Sequence, residues 1–149
     1  MTTSFQLLST CKKCKALCCN LVKPPITEKE KNIILDAGFQ NYFIKIKDDI
    51  YEINPDSKGQ CPYLKKDFSC KIHNVKPNFC KIWPVIPRYK NGKRKYVIIK
   101  CPIFPYIDEK EIRDSCKEAE KIPKYLIEHL WTISKEFKEE YKRFDYFEI

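Results

Sequence analysis

The chain has 149 residues, enough for one domain that buries roughly two-thirds of its unfolded surface. Its 43% hydrophobic and 13% aromatic residues exclude a disordered or low-complexity chain. The formal charge of +9 is concentrated: Cys61 to Cys101 hold 11 basic residues against Asp67 alone, a local +10, and the remainder sums to −1.

Along the chain, Pro24 and Pro25 interrupt the sequence after a cysteine-rich start. Thr27 to Glu30 (TEKE) then form a capping box, and Ile33, Ile34 and Ala37 continue a short helix that Gly38 stops in the left-handed region. NYFIKIKDDIYEI alternates apolar and polar residues on either side of Asp48 and Asp49, which predicts two strands and a turn. Pro55 to Pro87 shows no helical period and is expected to be irregular, organised by its ligands. A strand is expected over Lys95 to Lys100, after an Asn91-Gly92 turn.

Asp108 to Glu111 repeat the capping logic and start a helix that ends at Pro123, where a second helix begins. Leu126, Leu130, Ile133, Phe137, Tyr141 and Phe144 recur at the helical period, a stripe expected to pack on the core. The resulting expectation is a single α+β domain over 1–149, with short strands and a C-terminal helical segment at about 108–145, organised around a cysteine-ligated site. No stretch approaches roughly 18 uncharged residues, and Met1 opens no basic-then-apolar leader, so a cytoplasmic chain without a membrane span is expected.

Nine cysteines at short spacing in a reducing compartment point to metal rather than disulfides. Cys11, Cys14, Cys18 and Cys19 read C-x2-C-x3-C-C. A two-residue gap lets both sulfurs of a tight turn face one ion, while the adjacent Cys18 and Cys19 diverge and serve different surroundings. Cys61, Cys70, Cys80 and Cys101 form a second, widely spaced group. Cys116, isolated in a helix, reads as a small buried apolar residue. These eight cysteines other than Cys116 are the candidate metal ligands. All-thiolate sites suit zinc or iron–sulfur clusters and exclude Mg²⁺ and Ca²⁺. Structural zinc usually shows two short knuckles, whereas a cluster accepts one close group and a distant ligand; Cys-Pro at Cys61 and Cys101 is also a ferredoxin feature. A [4Fe–4S] cluster is therefore favoured over zinc. His73 is read as packed or hydrogen-bonded beside the cysteines rather than ligating, and His129 as an ordinary residue beside the helical stripe.

The run CPYLKKDFSCKIHNVKPNFCKIWP resembles the signature of the YkgJ-like (CxxCxxCC) family of zinc- or iron-chelating domains. In that family a C-x2-C-x2/3-CC group precedes a Cys-Pro segment and a C-x-I-Tyr-x2-Arg-Pro-x2-Cys-Arg-x-aromatic-Pro run. Cys70, Ile72, Pro77, Cys80, Trp83 and Pro84 match, behind Cys11, Cys14, Cys18, Cys19, Cys61 and Pro62. His73 replaces the family's usual Tyr, and Lys76 and Lys81 its usual Arg, which removes planar forks suited to bidentate anion binding. The domain is also similar to the core of flagellin lysine N-methylase. That resemblance implies an iron–sulfur cluster, S-adenosylmethionine as a second cofactor and a protein substrate.

Gly38, Gly59 and Gly92 are too far apart for a P-loop or a dinucleotide fingerprint, and neither H-E-x-x-H nor G-x-S-x-G occurs. The basic segment, with Trp83, Tyr89 and Tyr96 near Arg88, Arg94 and Lys95, also fits an RNA-binding zinc module, a reading not favoured here. Its first role is expected to be internal, as counter-charge to thiolate centres that carry about −2 each.

Overall fold

The computed structural model describes residues 24–67, 69–99, 105, 107–133 and 146–148. They form α1 (Glu28–Asp36), β1 (Phe43–Lys47), β2 (Ile50–Ile53), a 3-10 turn (His73–Val75), α2 (Asn78–Ile82), β3 (Val85–Lys90), β4 (Lys93–Ile99), α3 (Glu109–Ala119), α4 (Lys124–Ile133) and β5 (Tyr146–Glu148). This is an α+β architecture with two small antiparallel sheets, β1-β2 and β3-β4-β5.

Both capping boxes form as the sequence predicts. At α1 the Glu30 N–H donates to Thr27 Oγ1 at 3.2 Å and the Thr27 N–H to Glu30 Oε2 at 2.9 Å. At α3 the Glu111 N–H donates to Asp108 Oδ1 at 2.8 Å. Gly38 ends α1 with φ +93°, a conformation a side chain would strain. The predicted strand pair is β1 and β2, and its turn places Asp49 at φ +57°. From there Asp49 accepts from the Glu28 N–H at 2.9 Å and from the Tyr125 hydroxyl, so one turn carboxylate ties α1 to α4. Ile26 extends the pairing through reciprocal 2.9 Å bonds with Tyr51.

The stretch from Pro55 to Pro87 is more ordered than expected, since it holds the 3-10 turn, α2 and the start of β3. Helix α2 is too short to display a period. Strand β3 (VIPRYK) was hidden by Pro87, which a sheet tolerates here because β3 lies at the edge and the Pro87 carbonyl faces the indole N–H of Trp131 at 2.8 Å. Asn91 (φ +54°) and Gly92 (φ +75°) make the predicted turn, and β4 begins at Lys93, earlier than expected; Lys100 lies outside the described residues.

Leu126 and Leu130 face the core as the helical stripe requires, joined by Ile127 and Ile122 and packed with Phe79, Ile82, Ile86 and Val97. Phe137, Tyr141 and Phe144 lie outside the described residues, as does the predicted helix over 134–145; beyond it, Tyr146–Glu148 pair with β4. A second cluster of Ile34, Ile53, Tyr63 and Ile72 packs beneath the cysteine segment. Among the described residues no helix is long and apolar enough to cross a membrane.

Candidate metal centre

Cys61 opens a tight hairpin. The Leu64 N–H donates to the Cys61 carbonyl at 3.0 Å, Leu64 pairs with Cys70 in an antiparallel bridge, and the Lys71 N–H reaches the Tyr63 carbonyl at 2.8 Å. The two cysteines are thereby brought to one apolar bed: both are half-buried against the Ile34, Ile53, Tyr63 and Ile72 cluster. Tyr63 is the anchor. It is 1% exposed, its hydroxyl donates to the Gln40 carbonyl at 2.6 Å, and its ring meets Tyr42 edge-on at 5.2 Å. Burial holds its phenol pKa above the ordinary value; the Tyr42 N–H opposes this and the neighbouring Cys61 adds to it.

Past Cys70, the 3-10 turn begins with the His73 N–H on the Cys70 carbonyl at 3.3 Å. His73 is exposed rather than packed, and its imidazole pKa is lowered by the Lys76 ammonium and, secondarily, by burial. Cys80 stands on α2, half-buried, between Phe79 and Lys81. Pro77 occupies the N-cap of α2 without a side-chain cap; Glu30 of α1 supplies the acceptor, with Oε1 2.9 Å from the Asn78 N–H.

Among the described residues no three His, Cys, Asp or Glu side chains converge as a metal cage. Cys61, Cys70 and Cys80 therefore do not complete a centre with one another, and a four-thiolate site has to draw on Cys11, Cys14, Cys18, Cys19 or Cys101. Those five lie outside the described residues. Cys116, on α3, is half-buried with its thiol pKa raised by burial and then by Glu120, which disfavours the thiolate a metal needs. Lys65, Lys66, Lys71 and Lys81 are exposed along the cysteine segment and Lys76 is half-buried in it, which makes the segment strongly cationic.

The two arginines of the remaining basic segment are committed internally. Arg94 donates to the Tyr89 hydroxyl (3.0 and 2.8 Å), the Ala119 carbonyl (2.9 Å) and the Ile122 carbonyl (3.0 Å), closing the C-terminal end of α3. Arg88 lies over the Trp131 ring at 5.5 Å, and Trp83, Tyr89 and Tyr96 pack on the core cluster. His129 is not ordinary: it is 3% exposed, and its Nε2 lies 3.3 Å from Glu52 Oε1, linking α4 to β2 across 77 residues. No local sequence signal marks the Glu30, Arg94 or His129 contacts, because each joins segments far apart in the chain.

The chain is a small α+β domain that offers half-buried thiols from a hairpin and a short helix, in a lysine-rich stretch. Its donors are the soft ligands that select zinc or iron–sulfur, so the residues present fit such a group. The chain belongs to the CxxCxxCC family, described as "Putative zinc- or iron-chelating domain", whose model matches residues 10–105. No curated protein and no solved structure matches it.

Proposed function

We propose that the chain holds a [4Fe–4S] cluster through thiolates drawn jointly from the N-terminal group (Cys11, Cys14, Cys18, Cys19) and the central group (Cys61, Cys70, Cys80, Cys101), and that this shared ligation joins the N-terminal segment to the domain. The observation that supports the reading is the hairpin that sets Cys61 and Cys70 half-buried against one apolar cluster. The central thiols need partners from elsewhere in the chain, and a ligand set split between a close group and distant single cysteines suits a cluster better than a two-knuckle zinc site. The lysines around Cys61, Cys70 and Cys80 offset the net negative charge of four thiolates. A bound cluster would supply one-electron redox chemistry. Anaerobic purification, with iron, sulfide and zinc measured per chain and an absorption spectrum, tests the reading. Near-stoichiometric iron and sulfide with a broad charge-transfer band is expected; a colourless chain with one zinc and no sulfide overturns it.

A further inference from the structure

We propose that Glu30 is a positioning residue for the Cys80 thiol, acting through the backbone of α2. The inference rests on the reading of Cys80 as a metal ligand. Helix α2 has five residues, too few to persist by its own hydrogen bonds. Its first N–H groups have no intrahelical acceptor, and Pro77 at the N-cap has no side-chain acceptor to offer. The carboxylate of Glu30 fills that role from 48 residues away, at 2.9 Å from the Asn78 N–H. Its other oxygen accepts from the Thr27 N–H at 2.9 Å. One side chain thus completes the start of α1 with one oxygen and the start of α2 with the other.

Cys80 follows Asn78 by two residues, and its own N–H closes the turn onto the Pro77 carbonyl at 2.9 Å. Phe79 and Ile82 are buried and hold α2 to the core. The carboxylate bond fixes the start of the helix, and with it the position of Cys80 relative to α1. Glu30 thereby ties the segment that carries Cys80 to α1. A glutamine at this position keeps one acceptor oxygen and turns an NH₂ group towards one of the two donors, so it preserves size while breaking one bond.

The test is a cobalt(II) titration of the reduced, metal-free full chain under anaerobic conditions. It reads the thiolate-to-cobalt charge-transfer absorbance at saturation and the affinity by chelator competition. Glu30→Ala, Glu30→Gln, Thr27→Ala and Cys80→Ser are compared with the parent. Glu30→Ala is expected to weaken cobalt binding about tenfold or more, the scale seen when a ligand loses its outer support, and to lower the charge-transfer intensity towards that of Cys80→Ser. Glu30→Gln, whose one oxygen can face either donor, is expected to fall between Glu30→Ala and the parent. Thr27→Ala weakens the same α1 cap and should lower the unfolding midpoint while keeping the parent's affinity and spectrum. Parental affinity and spectrum in Glu30→Ala, with a thiolate lost in Cys80→Ser, overturn the positioning role and leave the ligand reading intact. A parental spectrum in Cys80→Ser overturns the ligand reading, and the inference falls with it. If Glu30→Ala does not fold, Asn78→Pro decides: it removes the N–H that Glu30 accepts, at a first-turn position that proline tolerates, and parental affinity and spectrum there overturn the positioning role.

Discussion

Replacing Arg94 with Ala removes a guanidinium that ties the β3–β4 hairpin to the junction of α3 and α4. Its bonds end on two backbone carbonyls and one phenol oxygen, at 2.8 to 3.0 Å. Ala119 and Ile122 are 0% and 1% exposed, so water cannot readily take over their carbonyls. The Ala119 carbonyl keeps the Ile122 N–H at 3.1 Å and loses only its second donor. A carbonyl left bare costs about 1–3 kcal/mol and a lost second donor about 1 kcal/mol, so with the ring contact to Tyr89 the total is about 3 kcal/mol. For a chain of this size that corresponds to a fall of about 6–12 °C in Tm. Arg94→Lys keeps the charge but not the fork and should lose about half as much. Urea unfolding, followed by tryptophan fluorescence at fixed metal loading, measures both, with the exposed Lys93→Ala as the reference for a surface change. An Arg94→Ala midpoint no lower than that of Lys93→Ala refutes the assignment of Arg94 to helix closure.

Removing the metal should destabilise the chain: with metal held about a thousandfold above Kd, binding adds about 4 kcal/mol, so excess chelator lowers Tm in the parent and changes it little in Cys61→Ser. Asp49 has its pKa lowered, chiefly by the Tyr125 hydroxyl and then by the Glu28 N–H, so its contribution is present above the unfolded carboxylate pKa and is lost as pH falls through the lower folded value. Asn tolerates the positive φ at position 49, so Asp49→Asn should be less stable than the parent at pH 7 and converge with it in acid, as urea midpoints across the two ranges will show. The same contact pushes Tyr125 up to about 12, so its contribution is complete below the ordinary tyrosine pKa and is lost as pH rises from there through the raised folded value. Cys116, with its thiol pushed up by burial, should be alkylated at pH 8 more slowly than a small model thiol, and Cys116→Ala should leave metal per chain unchanged; mass spectrometry and metal analysis check the two.

What was legible in the sequence was local. Thr27 and Glu30, Asp108 and Glu111, and Asn91 with Gly92 act on neighbours within a turn, so their roles follow from residue type and spacing, and the structure contains all three devices. The pairing of β1 with β2 and the burial of Leu126 and Leu130 follow from the same short-range periodicity, although the alternation in β1 does not become a buried face, since Ile44 and Ile46 are exposed. The family signature was legible too, because it is an ordered set of cysteines, prolines and an aromatic residue. Strand β3 escaped because its proline is permitted only by its edge position, which a sequence does not display. Helix α2 escaped because its cap comes from Glu30, and the sequence places Arg94 beside Arg88 and Lys95 as a fit to RNA, although Arg94 spends its donors on distant carbonyls. The His129–Glu52 pair likewise depends on α4 lying across β2.

Strand β4 has a hydrogen-bonded neighbour on each side, β3 and β5, and its Val97 and Ile98 are buried to 0% and 1% exposure. Amides in such a strand trade protons with solvent only when the sheet opens as a unit, whereas the Cys61–Cys70 hairpin, held by a few turn bonds, can open by itself. Hydrogen exchange therefore supplies two clocks in one molecule. The slow one at Val97 and Ile98 reports the stability of the sheet, and the fast one at Leu64 and Lys71 reports how firmly the hairpin is gripped, so loading the chain with metal should slow the second far more than the first.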